Sequence, residues 1–192
     1  LLFRYLSLYI FAADKLVAVF PETGRLLNRF SRVRVVTKER GTENLGIGEE
    51  HAIRVEEIGD FDPDFILLDG TLHYERDIQK LLESIGHQCR RHTRLVITFY
   101  SGLWKPFIRL ATFLGLRSKT PEENWLSPGD VNNLLLLSEF EAVREESRVL
   151  CPVYIPLISN FTNRYIAPLP VFRAFNLVNI VVARPVRPFA PS

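Results

Sequence analysis

DFILLDGTLHYERDIQ, from Asp64 to Gln79, gives the clearest indication of the fold. Phe65 to Leu68 is a continuous apolar run introduced by Pro63, which is typical of a strand buried on both faces. The next segment, Asp77 to Cys89, has apolar residues at helical spacing and predicts a helix. Leu95 to Tyr100, LVITFY, predicts a second buried strand. Together they predict the β-α-β unit of an α/β sheet.

The same alternation continues on both sides of this unit. Ser127 is a good helix N-cap, with Pro128 in the first helical position and Asp130 three residues after the cap. Another helix is predicted from Trp104 to Leu116. Further strands are predicted at Lys15 to Phe20, Val33 to Thr37, Val143 to Val153 and Leu177 to Ala183. We therefore expect a mostly parallel sheet, with helices on both faces and an antiparallel C-terminal pair of strands.

Length and composition indicate a single globular domain. The chain has 192 residues, of which 47% are hydrophobic and 24% charged, so it can bury a sizeable core. We expect residues 1–185 to form the domain and residues 186–192 to form an extended, proline-containing tail. The sequence starts at Leu1 and contains no methionine, which suggests a processed or trimmed chain.

Charge and cysteine content exclude several classes of protein. A net charge of +2, from 24 basic and 22 acidic residues, is too balanced to predict a nucleic-acid surface. Cys89 and Cys151 form neither a disulfide framework nor a C-x-x-C pair, so we expect no structural zinc and a reducing cytoplasmic location. The longest uncharged stretch, Val149 to Asn163, is too short for a membrane span.

Ligands of such sheets bind outside the carboxyl ends of the strands, where the strand order switches. The candidate site positions are therefore the loops that follow the strands, namely Pro21 to Gly24, Thr37 to Arg40, Asp69 to Tyr74 and Tyr100 to Trp104.

Several motifs between Asp64 and Pro185 occur in an order and spacing that resemble a known family. Besides the first stretch quoted above, they are TRLVITFYSGLW (93–104), NWLSPGD (124–130), PVYIPL (152–157), NRYIAPL (163–169) and VVARP (181–185). The combination resembles the class I S-adenosylmethionine-dependent methyltransferases, in particular a bacterial subgroup found alongside glycosyltransferases of surface-polysaccharide clusters. The resemblance implies a Rossmann-like, seven-stranded sheet with an antiparallel last strand. It also implies a pocket for S-adenosylmethionine over the first, second and fourth strands.

The resemblance assigns the methyl-donor contacts to three loops. They comprise Phe20, Pro21, Glu22, Thr23 and Gly24 after the first strand, Glu39 after the second, and Asp69 and Gly70 after the fourth. The first loop keeps a glycine but has a phenylalanine, a proline and a glutamate where the family has small residues. A threonine and a lysine stand where the family has an acid for the ribose hydroxyls, and Glu39 is the nearest carboxylate.

Asp69, His73 and Tyr100 are the candidates for catalysis or acceptor contact. Methyl transfer from a sulfonium depends largely on positioning, and a base is needed only when the acceptor must lose a proton. Asp69 could equally cap the following helix. His73 is by residue type more often a surface or cap residue than a base.

Other clusters have structural interpretations. His87, Cys89 and His92 are not spaced to face one centre, so we expect no metal site. The basic residues between Arg25 and Arg40 fit a solvated helix face, with an anion site for a phosphorylated or lipid-linked sugar as the alternative. Trp125 is expected to pack the helix start, although the resemblance puts its loop near the pocket mouth. Val149 to Phe175 fits core and loop packing, with a hydrophobic acceptor surface or peripheral membrane contact as the alternative.

Two functional hypotheses follow. The first is a methyltransferase that acts on a sugar or another small acceptor in surface-glycan biosynthesis. The second is a non-catalytic relative that has lost methyl-donor binding and serves as a binding or assembly module. The altered residues Phe20 and Pro21 and the missing ribose acid favour the second. A nucleotide-sugar enzyme of Rossmann type is disfavoured because no G-x-G-x-x-G follows the first strand.

Overall fold

The computed structural model describes residues 6, 8–21, 27, 30–37, 51–102, 124–148 and 178–186. These residues contain one sheet of seven strands: β1 (Lys15–Val19), β2 (Arg32–Val36), β3 (Ala52–Ile53), β4 (Phe65–Asp69), β5 (Arg94–Tyr100), β6 (Phe140–Arg148) and β7 (Val178–Pro185). The described helices are α1 (Ile58–Phe61), α2 (Ile78–Gly86) and α3 (Pro128–Leu137), with 3₁₀ turns at Val55–Glu57 and Thr71–His73.

The strand order is β3-β2-β1-β4-β5-β7-β6. Neighbours from β3 to β5 pair in parallel, whereas β7 runs antiparallel to both β5 and β6. The expected fold class, a mostly parallel sheet with an antiparallel last strand, is confirmed. Because β1 lies between β2 and β4, the order switches there, and a crevice is expected at the carboxyl ends of β1 and β4.

The strand β4 occupies the centre of the sheet, as its unbroken apolar run predicted. Its side chains alternate between two core clusters, so that Ile66 and Leu68 face one side and Leu67 the other, all at most 2% exposed. The first side also holds the buried faces of α2 and α3. The second side holds residues near the N-terminus, among them Leu6, Ile10, Leu27 and Phe30.

Both described longer helices begin as local chemistry predicts. The side chain of Asp77 accepts a hydrogen bond from the Lys80 N–H at 3.0 Å and caps α2. Ser127 and Asp130 form a reciprocal capping box at the start of α3. The hydrogen bonds from Ser127 lower the pKa of the Asp130 carboxyl.

The edges of the sheet differ most from the sequence predictions. The two-residue strand β3 carries too short a pattern to be recognised and was not predicted. The strand β6 begins at Phe140, earlier than the predicted Val143, and its sequence FEAVREESR is rich in charge. A shift in its register lies between Ala142 and Arg144. Charged residues and an irregular register are common on edge strands, where they discourage pairing with another chain.

Several predictions fall outside the described residues, including the helix at 104–116, the proline-rich loop at 152–170 and the tail at 187–192. The single-domain boundary remains a prediction. None of the helices in the described part of the chain has the length and apolar character needed to cross a membrane.

Candidate functional site

The carboxyl end of β1 turns sharply at Phe20. This residue has φ 48°, a left-handed conformation that bulky side chains rarely adopt, and its N–H donates to the Val36 carbonyl at 2.8 Å. The Phe20 ring is half-buried and packs against the core cluster shared with α2. The phenyl group therefore adds bulk to the core side of the turn. Of the other residues assigned to this loop, Pro21 is half-buried, while Glu22, Thr23, Gly24 and also Glu39 lie outside the described residues.

The loop after β4 is tied to the end of β1. Gly70 has φ 70°, which glycine adopts without strain, and its N–H donates to the Thr98 carbonyl at 3.1 Å. The buried Thr71 hydroxyl then donates to the Val19 carbonyl at 2.7 Å. We call the region bounded by Val19, Phe20, Asp69, Gly70 and Thr71 the switch-point crevice.

Asp69 is the last residue of β4 and is half-buried at this edge. The Thr98 hydroxyl on β5 donates to its Oδ1 at 2.6 Å. The interpretation of Asp69 as a helix cap is wrong, because Gly70 is the cap of the short 3₁₀ turn and Asp77 caps α2. The Asp69 carboxylate is thus fixed by the neighbouring strand at the carboxyl edge of the sheet.

His73 is only 1% exposed, so the expected surface position is wrong. Its Nε2 accepts from the backbone N–H of Tyr100 at 2.9 Å, and its Nδ1 lies 2.7 Å from the Asn124 carbonyl oxygen. An N–H group can only donate and a carbonyl can only accept. The two partners therefore select the neutral imidazole that carries its hydrogen on Nδ1.

The bond to Tyr100 completes the edge of β5 beyond the end of β4. The Arg94 N–H at the start of β5 donates to the Asp64 carbonyl, on the side of β4. Tyr100 is six residues further along β5, an even number, so its N–H points to the same side. Past Asp69 the chain leaves the sheet, and the His73 ring supplies the acceptor in place of a strand carbonyl. The Tyr100 ring also stacks on that of His73, with centroids 5.2 Å apart and planes at 17°.

The segment that begins NWLSPGD is pinned to the β4 loop through Asn124. Its side-chain amide donates to the carbonyls of Leu72 at 3.0 Å and Glu75 at 2.5 Å, and its N–H donates to the His73 carbonyl at 3.2 Å. The neighbouring Trp125 ring lies 5.9 Å from His73 between centroids. We did not predict the role of Asn124, although an amide with two donors beside a motif residue suits such bridging.

A cavity of about 640 Å³ opens next to Ser101 and Gly102, directly after β5. It is bounded by the residues that follow β5, by the start of α3 and by β6 and β7. Lining residues with polar or aromatic groups include Trp125, Asp130, Glu145, Glu146, Ser147 and Asn179. We call this the β5 cavity. Trp125 thus lines a cavity and lies two residues before the cap of α3, while its expected packing on the helix start stays a prediction.

Asn179 is a buried polar residue in the mostly apolar strand β7. It is 6% exposed, and its Oδ1 accepts from the Ser147 hydroxyl at 2.8 Å. On the facing helix, the Asn132 amide donates to Glu145 at 2.7 Å. We did not predict Asn179 as a site residue, but an asparagine within LVNIVVA is itself a signal, because a buried amide needs partners.

The three residues rejected as metal ligands do not converge. Cys89 is buried, which raises the pKa of its thiol to about 12 and keeps it protonated. His92 Nε2 lies 3.3 Å from Asp62 Oδ1, and His87 is the C-cap of α2. Across the described ranges, no group of three or more His, Cys, Asp or Glu side chains could hold a metal ion.

Arg32 and Arg34 are the members of the basic run between Arg25 and Arg40 that the structure describes. The half-buried Arg34 places its guanidinium 5.2 Å from the Phe61 ring centroid and 3.1 Å from His51 Nδ1. Arg32 is exposed at the start of β2. Both residues lie on strand β2, so the expected solvated helix face is wrong for them, while Arg25, Arg29, Lys38 and Arg40 lie outside the described ranges.

Comparisons with known proteins give a match in structure but not in sequence. No protein-family model matches the chain. No curated protein matches it either.

Solved structures match over nearly the whole chain. A SAM-dependent methyltransferase from Archaeoglobus fulgidus shares 10% identity over 94% of this chain and 90% of its own, with a TM-score of 0.62. An S-adenosylmethionine-dependent methyltransferase from Mesorhizobium loti shares 12% identity over 94% and 96%, with a TM-score of 0.60. A 1,6-didemethyltoxoflavin-N1-methyltransferase from Burkholderia thailandensis, solved with bound 1,6-didemethyltoxoflavin and S-adenosylhomocysteine, shares 14% identity over 96% of this chain and 76% of its own, with a TM-score of 0.56. The chain thus has the Rossmann-like fold of these methyltransferases.

Proposed function

We propose that this protein transfers a methyl group from S-adenosylmethionine to a small polar acceptor, and that the acceptor is a sugar of surface-glycan biosynthesis. One observation carries the proposal: the switch-point crevice follows the carboxyl ends of β1 and β4, the β5 cavity begins at Ser101 and Gly102 directly after β5, and the bond between His73 and Tyr100 joins the β4 loop to the end of β5. Transfer between two bound molecules needs two such adjoining spaces.

The described residues of the switch-point crevice fit a methyl donor. At the two left-handed turns, the Phe20 ring packs against the core cluster and Gly70 carries no side chain, which favours close approach of a ligand to the backbone there. In the proposal, residues 20–24 and Gly70 contact the amino acid part of the donor, and Glu39 contacts the ribose. When bound, S-adenosylmethionine supplies a methyl group on a positively charged sulfur, which leaves as a neutral thioether.

Asp69 and Tyr100 are proposed to position the acceptor and to receive its proton where one must be lost. In such a transfer the acceptor oxygen or nitrogen gains the methyl group and gives up its hydrogen as a proton. The Thr98 hydroxyl holds Asp69 in place beside the crevice, and Tyr100 borders the cavity through Ser101. His73 is a poor base in this arrangement, because both ring nitrogens bond to backbone.

The walls of the β5 cavity support a neutral, hydroxyl-rich or amine-bearing acceptor. Among the described residues that line it are three carboxylates, Asp130, Glu145 and Glu146, and neither a lysine nor an arginine, and Glu146 is paired with Arg144 at 2.6 Å. Carboxylates accept hydrogen bonds from hydroxyl and ammonium groups but repel phosphate. Trp125 offers a flat apolar surface, and a volume of about 640 Å³ suits a small molecule. These walls favour a sugar over the phosphorylated or lipid-phosphate acceptor considered from the sequence.

The catalytic assignment is tested by Asp69→Ala and Tyr100→Phe, with transfer of a labelled methyl group to a panel of sugars and amino sugars as the assay. We expect turnover to fall by roughly 10²-fold in at least one variant, the lower range for a lost general base. The unfolding midpoint should stay close to that of the wild type.

Asp60→Ala is the matched control for this test, because Asp60 is an exposed carboxylate of α1 remote from the carboxyl edge. It should retain full turnover. Wild-type rates in both site variants would remove Asp69 and Tyr100 from the proposed chemistry.

A further inference from the structure

We propose that His73 is a positioning residue, whose neutral imidazole fixes Tyr100 and the Trp125 segment and thereby sets the wall between the switch-point crevice and the β5 cavity. The inference rests on the proposed function, because it assigns a role at the same site. It replaces the expectation that His73 acts as a base.

The first step is the selection of one tautomer. The Tyr100 N–H forces Nε2 to accept, and the Asn124 carbonyl forces Nδ1 to donate. The ring is 1% exposed, so water does not replace either partner at low cost. A single side chain therefore joins the end of β5 to a segment 51 residues further along the chain than itself.

The second step concerns what the two bonds hold. One bond fixes the backbone where β5 gives way to Ser101 and Gly102, which line the β5 cavity. The other fixes Asn124, whose neighbour Trp125 also lines that cavity. Displacement of a substrate-facing wall by about 1 Å can reduce the rate of a reaction by roughly 10²-fold. Both bonds lead from the His73 ring toward residues of the β5 cavity, so loss of the ring should disturb the alignment of an acceptor more than the binding of the methyl donor.

Two substitutions separate the two bonds. The amide nitrogen of asparagine is as many bonds from Cα as Nδ1 of histidine, so His73→Asn can keep the bond to the Asn124 carbonyl. The amide oxygen of glutamine is as many bonds from Cα as Nε2, so His73→Gln can keep the bond to the Tyr100 N–H. His73→Ala removes both.

The experiment uses the full chain in a Trp104→Phe background, so that Trp125 is the remaining tryptophan. Fluorescence of Trp125 and hydrogen exchange of the Tyr100 amide are measured without any methyl donor. We expect His73→Ala to shift the Trp125 emission and to speed exchange at Tyr100. His73→Gln should restore slow exchange at Tyr100, and His73→Asn should restore the Trp125 emission.

Kinetics then test the link to methyl transfer. In His73→Ala we expect kcat/KM for the acceptor to fall roughly 10- to 100-fold while Kd for S-adenosylmethionine changes less than about threefold. Unchanged emission and exchange in a folded His73→Ala variant would overturn the proposal. So would equal losses in all three variants, which would indicate a merely structural residue. If the wild type transfers no methyl group, the proposed function fails, whereas the fluorescence and exchange measurements still decide the role of His73.

Discussion

Polar side chains form hydrogen bonds at both ends of the β4 and β5 pair, but the bonds at the two ends join different parts of the chain. At the amino edge, Asp64 accepts from the Lys15 N–H at 2.9 Å and Thr93 donates to the Pro63 carbonyl at 3.0 Å, which draws neighbouring strands together. At the carboxyl edge, Thr71 reaches back to Val19, and His73 bridges to Tyr100 and Asn124. The bonds at the amino edge join neighbouring strands, whereas those at the carboxyl edge join the loops next to the switch-point crevice and the β5 cavity.

Left-handed backbone conformations occur at both edges of the sheet. Asp62, before β4 at the amino edge, is left-handed with φ 54°, and aspartate tolerates this conformation comparatively well. Phe20, at the carboxyl edge, has φ 48° and tolerates it poorly. Strained residues persist where the surrounding structure imposes them, and such positions cluster at ligand sites. Glu139, which precedes β6 at the amino edge, also has φ 57°, so strain is found at both edges and Phe20 is its bulkiest case.

Two isosteric substitutions test this contrast most strongly. Thr93 and Thr71 are both buried, and Thr→Val keeps the size of each side chain. Thr93→Val leaves the Pro63 carbonyl and the Arg90 N–H without their partner and should cost about 2–3 kcal/mol of unfolding free energy. Thr71→Val leaves one carbonyl without its partner and should cost about 1–2 kcal/mol.

The variant with the smaller loss of stability should have the larger loss of affinity for S-adenosylmethionine. Thr71→Val should weaken S-adenosylmethionine roughly tenfold, equivalent to about 1.4 kcal/mol, because it frees the end of β1 from the β4 loop. Thr93→Val should bind the methyl donor as the wild type does. Urea unfolding and calorimetric titration of both variants measure the two quantities. Equal losses of affinity would show that the two edges are not functionally distinct.

A smaller effect is expected at the start of α3, beside the β5 cavity. Ser127→Ala removes a capping box and should cost about 1 kcal/mol of unfolding free energy at neutral pH. Because the folded state lowers the pKa of Asp130, this stabilisation is present above the unfolded-state pKa and is lost as the pH falls through the lowered one. The difference in stability between variant and wild type should therefore shrink in acid.

Asp77→Ala, which removes the cap of α2, is the matched control for Ser127→Ala. Both should lose similar stability, but only the α3 variant should raise KM for the acceptor, since Ser127 lines the β5 cavity and Asp77 does not. Equal KM values for the acceptor in the two variants would indicate that the β5 cavity does not bind the acceptor.

Local patterns predicted the central elements of the fold well. The buried run of β4, the stripe of α2 and the Ser127 capping box depend on residues close in sequence, so the sequence alone predicts them. The burial of His73 depends on Asn124, which no local pattern links to it. The two-residue strand β3 owes its existence to pairing with β2 rather than to its own composition.

Candidate site residues followed the same rule. Asp69 and Tyr100 were predictable because strand ends can be located from apolar runs, and carboxyl ends of parallel strands share one edge. Thr98, Asn124 and Asn179 were missed because their importance comes from partners on other elements.

The central claim is that the switch-point crevice binds S-adenosylmethionine, and calorimetric titration of the wild type with this compound tests it most directly. We predict saturable binding at one site, with Kd between about 1 μM and 1 mM, the range usual for enzyme substrates. Gly70→Ala should weaken it, because a Cβ is strained at φ 70°. A folded wild-type protein that binds no S-adenosylmethionine at millimolar concentration would contradict the claim and favour a non-catalytic binding module.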